Sequence, residues 1–153
     1  MDYHIERQLL IRGLSIPLTQ LFELVAHPDH LNQMNPDIHV ISYAPSTNGG
    51  YDTDWEYHFG AMKLAGKSKV MTYEPPCKLI VDTQGGIPSH WVWSFAVQGD
   101  GVLVGVKLDY DIPKPLAFMG SLLTKRNEKS VELQLENLKA LAEENNISAL
   151  ICP

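Results

Sequence analysis

Cysteine is scarce in this sequence. Only Cys77 and Cys152 occur in 153 residues, and they make neither a CxxC pair nor a disulfide framework, which points to a reduced setting. Long apolar runs are missing as well. No stretch of about 18 apolar residues exists, so no membrane span is expected. The amino terminus, Met1-Asp2-Tyr3-His4, is polar and lacks the apolar core of a signal peptide. A cytoplasmic protein is the expectation. Positive charge is in short supply: 12 Lys and Arg against 18 Asp and Glu leave a net charge of −6. That balance argues against nucleic acid, which needs a concentrated basic surface. Lys63, Lys67, Lys69 and Lys78 lie close together but read as the solvated face of a sheet. No Ser–His–Asp arrangement, phosphate loop or dinucleotide fingerprint is present. The glycine pairs have no strand-to-helix context and read as turns. No cofactor is therefore expected.

What is present suffices for a packed core. Apolar residues make up 44% of the chain, which excludes wholesale disorder. Length, and the lack of repeats or low-complexity segments, predict one domain over residues 1–153, with a core at 3–144 and an apolar tail at 145–153.

The segment from Lys114 to Glu144 organises the rest. At about 100° per residue, Lys125, Glu128, Lys129, Glu132, Glu136, Lys139 and Glu143 gather on one face. Leu116, Met119, Leu123, Val131, Leu138 and Leu141 lie opposite, with Gly120 among them. Asn127, Ser130 and Gln134 interrupt that apolar stripe, where a pure packing helix carries aliphatic residues.

Before this helix the chain reads mostly as strands. Tyr3 to Arg12 alternates, with Tyr3, Ile5, Arg7, Leu9 and Ile11 on one side. Pro17 opens a helix whose apolar face is Leu18, Leu21, Phe22 and Val25. A second short helix spans Asp29 to Met34 and stops at Asn35-Pro36. Strands follow at Ile38–Tyr43, Thr53–Phe59, Met62–Glu74, Lys78–Thr83, Ser89–Gln98 and Val102–Tyr110. Their inward residues include Trp55, Tyr57 and Phe59; Leu64, Val70 and Thr72; Trp91, Trp93 and Phe95; and Tyr110. Sequential strands with short turns predict an antiparallel sheet covered on one face by the long helix.

In its order of local features the chain resembles the START-like superfamily, the polyketide cyclase/dehydrase or helix-grip proteins. Residues 21–31, Leu-Phe-Glu-Leu-Val-Ala-His-Pro-Asp-His-Leu, resemble the family's opening helix. Met34-Asn35-Pro36 resembles its "W-N-P", with methionine replacing tryptophan. Tyr73-Glu74-Pro75-Pro76 with Leu79 resembles "y-x-P-P-x-x-l". Trp91-Val92-Trp93-Ser94-Phe95 before Gly99-Asp100-Gly101 resembles its hairpin, and Leu135 to Leu141, containing Leu138-Lys139, its closing helix. The resemblance covers roughly residues 3 to 144. It implies an α+β helix-grip fold: a curved antiparallel sheet of six to seven strands around a long C-terminal helix, with two short helices after strand 1. The tail Ile147 to Pro153 lies beyond the family's usual end and predicts docking on its own domain or a partner.

The resemblance also implies a ligand cavity between sheet and helix. The expected lining is Arg7, Trp55, Tyr57, Phe59, Trp91, Trp93, Phe95 and Tyr110 from the sheet. Met119, Leu123, Asn127, Ser130 and Gln134 are expected from the helix. Tyr57, Tyr110 and Asn127 are the candidates for catalysis, while alternation sends His58, His90, Asp82 and Asp109 to the outer face. The competing reading is that the aromatics fill the core and backbone groups satisfy the helix's polar residues. His27, His30 and His39 invite a metal, but Pro28 breaks the helical spacing and no further ligand is fixed, so no metal site is expected. Three functions follow in order: binding or transport of a lipid, quinone or polyketide-like molecule; a polyketide cyclase/dehydrase-type enzyme; and a protein-interaction module. A homodimer or protein partner is left open.

Overall fold

In the computed structural model, residues 1–14 and 16–151 are described, the last seven of them by their backbone alone. The chain forms β1 (Tyr3–Arg12), α1 (Leu18–Ala26), a 3₁₀ turn (Pro28–His30) and α2 (Leu31–Met34). There follow β2 (Ile38–Pro45), β3 (Tyr51–Phe59), β4 (Met62–Glu74), β5 (Lys78–Gln84), β6 (Ser89–Gln98) and β7 (Gly101–Tyr110). A 3₁₀ segment (Lys114–Met119) leads into α3 (Gly120–Ile151). The strands make one antiparallel seven-stranded sheet, ordered β1-β7-β6-β5-β4-β3-β2. The sheet curves around α3. This is the α+β helix-grip architecture.

Two bulges correct the expected alternation. The register of β4 against β5 shifts between Val70 and Thr72, so Tyr73, not Thr72, stands opposite the buried Leu79. An extra residue reverses which later side chains face inward. Tyr73 accordingly packs its ring on Phe22. A second bulge lies between Val40 and Ser42 of β2.

The long helix also departs from expectation at both ends. Its first turn, which includes Met119, is 3₁₀. Pro113 and Pro115 bracket that entry, and Pro115 has no N–H to offer. At the other end the helix continues through 145–151, where the sequence suggested a separate tail. The tail's docking, which would rest on side chains beyond residue 144, and Cys152 lie outside the described residues.

α3 divides the interior. Its later turns bring Val131, Leu135, Leu138 and Ala142 into a dry core with Phe22 and Phe95. Phe22 and Phe95 meet edge to face at 5.4 Å, the arrangement their ring quadrupoles prefer. Earlier on the helix, Asn127, Ser130 and Gln134 face open space over the sheet.

Candidate functional site

That space is a cavity of about 180 Å³ between the sheet, α3 and the α1–α2 corner. All three tryptophans of the chain, Trp55, Trp91 and Trp93, line it. Tyr57 and Tyr110 join them from the sheet, and Asn127, Ser130 and Gln134 from the helix. Five other expected lining residues lie elsewhere. Phe95 stands two residues beyond Trp93, opposite Val104, and belongs to the dry core. Leu123 is buried outside the lining, and Met119 sits half-buried in the 3₁₀ segment. Phe59 carries the Arg126 guanidinium 4.5 Å from its ring centre. Arg7 is inward by register, opposite Val106, but lies on an edge strand. Its side chain pairs with Glu132 of α3 at 3.3 Å, so its charge is met by a protein carboxylate.

The sheet residues of the cavity owe their poses to small neighbours. Trp55 is directly opposite Gly66. A Cβ at Gly66 would lie 2.2 Å from the Trp55 ring, so only glycine lets the indole lie across β4. The indole then donates from Nε1 to Ser68 Oγ at 2.7 Å. Trp91 and Trp93 stack in parallel at 6.3 Å.

The register draws one row of hydroxyls across the cavity floor. Tyr110 faces Ser89, Ser89 faces Thr83, Thr83 faces Ser68, and Ser68 faces Thr53. All five line the cavity. The middle of the row is internally closed. Trp91 Nε1 donates to Ser89 Oγ at 3.0 Å, Ser89 and Thr83 are hydrogen-bonded, and Thr83 donates to the Ile87 carbonyl. With Thr83 donating onward, Ser89 donates to Thr83, and each hydroxyl in this stretch is satisfied. Tyr110 is different: its hydroxyl is buried with no hydrogen-bond partner among the described residues.

The helix's polar residues divide in the same way. Ser130 Oγ accepts from Asn35 and from Gln134, each at 3.3 Å. The first bond ties the end of α2 to α3 and the second lies within α3, so part of the polar run is structural. The amide of Asn127 makes no hydrogen bond to any described residue and borders the cavity.

Two functional neighbours escaped the sequence reading. Arg126 donates to Tyr57 Oη at 3.0 Å and to Asp37 Oδ2 at 2.9 Å. Burial raises the Tyr57 pKa, and the guanidinium works against that rise. Burial would lower the Arg126 pKa, but the Tyr57 and Asp37 oxygens raise it. Arg126 lies one helical turn before Ser130, on the flank between the polar run and the charged face. That i, i+4 relation was the available signal. The second is His27, weighed in the sequence only as a metal ligand, which lines the cavity. Its Nδ1 accepts the Asp29 N–H at 3.1 Å, which puts the proton of the neutral ring on Nε2. Its ring lies 4.8 Å from that of Tyr51. No group of three His, Cys, Asp or Glu suited to a metal occurs among the described residues.

No family model matches the sequence, and no curated protein sequence matches it. Solved structures do. A START superfamily protein from Mycobacterium smegmatis is 14% identical with a TM-score of 0.69, over 92% of this chain and 97% of that one. A conserved protein from Geobacillus kaustophilus is 11% identical with a TM-score of 0.71, over 93% and 96%. DynU16, from the dynemicin biosynthetic locus, is 15% identical with a TM-score of 0.63, over 95% of this chain and 49% of its own. At these identities the likeness establishes the fold: this chain has the START-like, helix-grip fold. No described helix is long and apolar enough to cross a membrane.

Proposed function

We propose that the chain is a single ligand-binding domain that takes up a hydrophobic small molecule between the sheet and α3. The observation that carries this reading is the unfilled, aromatic-walled space where a packing helix would have closed the core. Apolar walls with a few convergent polar groups suit small-molecule binding. A cavity of about 150 Å³ admits a benzene-sized guest, so the present one accepts a ring-sized ligand or ligand segment. Such a guest buries roughly 150 Å² of apolar surface, worth about 4 kcal/mol at about 25 cal/mol/Å². Association costs offset part of that gain, so ring-sized fragments bind in the millimolar range and a larger natural ligand more tightly. Native mass spectrometry of the protein purified from its host tests the reading. A co-purifying hydrophobic molecule, displaced by a panel of apolar probes, is the expected result. No bound molecule and no displacement would end the carrier reading.

A second reading is acid–base chemistry on the bound molecule, of the cyclase/dehydrase kind. It rests on His27, whose Nε2 is free of described partners at the cavity wall. Of the sequence's catalytic candidates, Tyr57 is engaged by Arg126, and Tyr110 has no base beside it. Turnover that survives Tyr57→Phe and Tyr110→Phe but is lost in His27→Gln would favour this reading over simple carriage.

A further inference from the structure

The hydroxyl of Tyr110 is the one buried side-chain polar atom without a partner among the described residues. Tyr110 is 1% exposed and lines the cavity. Burying an unsatisfied hydroxyl costs on the order of 1–3 kcal/mol, so its persistence in a residue that lines the cavity calls for an explanation. Its ring has little freedom to seek a partner, being stacked on Tyr3 at 5.1 Å and 14°. Its neighbour in the hydroxyl row does not serve either, since no hydrogen bond joins Ser89 to Tyr110. Ser89 already accepts from Trp91 and is bonded to Thr83, which donates to Ile87. The donor is thus held in place and left over after the floor has satisfied itself.

The rest of the wall limits what can meet it. No Asp, Glu, Lys or Arg lines the cavity among the described residues, and His27 is the one histidine there. Arg7 and Arg126 are committed to Glu132 and Asp37. An ionised carboxylate or phosphate inside would be desolvated without a counter-charge, at a large cost.

We infer that the cavity selects an uncharged, mainly hydrocarbon ligand whose one deep oxygen, a carbonyl or hydroxyl, accepts a hydrogen bond from Tyr110. This rests on the ligand-binding reading and narrows it. It disfavours free fatty acids and phosphate-bearing head groups as the inserted portion. It favours a neutral ketone, quinone-like or alcohol-bearing ring system.

Three probes of one shape test this by protein-detected NMR titration: indane, 1-indanone and indane-1-carboxylate at pH 7. In the native protein the ketone should bind roughly three- to tenfold more tightly than indane, the worth of one neutral hydrogen bond. The carboxylate should bind more weakly than either. Tyr110→Phe should abolish the ketone's advantage, read as the ratio of the indanone and indane affinities. It should also leave the melting temperature equal or higher, since the unsatisfied hydroxyl is gone. Equal binding of indane and indanone in the native protein overturns the inference while the cavity reading stands. So does a ketone advantage that survives in Tyr110→Phe, or a carboxylate that binds best. Failure of all three probes to bind overturns both.

Discussion

Trp55 lies across Gly66, and the two residues are directly paired between β3 and β4. A single methyl at Gly66 would come within 2.2 Å of the indole. Gly66→Ala must therefore push the ring off Ser68 Oγ and toward the cavity. The expected cost is about 1–3 kcal/mol, the usual penalty for overpacking. Urea denaturation measures the loss, and a shifted Trp55 indole N–H resonance reports the moved ring. An unchanged resonance and stability would show that the strand yields instead.

Ser130 and Asn127 should respond in opposite ways. Ser130→Ala removes the common acceptor of Asn35 and Gln134, leaving two part-buried amides without it, and should cost about 1–2 kcal/mol. Asn127→Leu removes an amide with no described partner. It should leave stability nearly unchanged while altering affinity for probes in the cavity. Equal destabilisation by both would mean that the polar run is wholly structural.

Arg126 holds Tyr57 and Asp37 together across the gap between α3 and the β2–β3 edge. Arg126→Leu should raise the Tyr57 pKa further, because burial then acts without the opposing guanidinium. Ultraviolet titration of tyrosinate against a Tyr57→Phe control checks the direction. The stability loss should be about 1 kcal/mol, since the pair is partly exposed and screened.

The outer face carries a pH effect of known sign. The His4 pKa is raised above 6.5 by its hydrogen bonds to Asp109 and Glu6. The folded state thus binds the proton more tightly than the unfolded chain. This contribution is fully present below the unfolded value near 6.5 and fades as pH rises through the higher folded value. NMR titration should place His4 above 6.5, and Asp109→Asn should bring it back down. A His4 value at or below 6.5 in the native protein would contradict the assignment.

Much of this site was legible in the sequence because alternation and helical period are local. Trp91 and Trp93 faced inward as their spacing required, and Asn127, Ser130 and Gln134 fell on the buried side of α3. What escaped depended on relations between distant segments. The hydroxyl row exists only once the strand registers are set. Ser68, read alone, sits among lysines. Arg7 had the right face, but its edge position let it reach Glu132. The bulge after Val70 turned Tyr73 inward, where burial and then its hydrogen bond to Glu23 push its pKa up to about 12. His27 had no visible place in the cavity until α1 was seated over the sheet.

The indole N–H groups give the most direct view of the cavity, since Trp55 and Trp91 donate to its floor and Trp93 stacks on Trp91. Adding indane to ¹⁵N-labelled protein should shift these three resonances in a saturable way. Amides at the exposed β6–β7 turn, such as those of Gln98 and Asp100, should stay in place. Indole resonances that remain fixed up to the solubility limit, with or without movement at the surface, would contradict a ligand site between the sheet and α3.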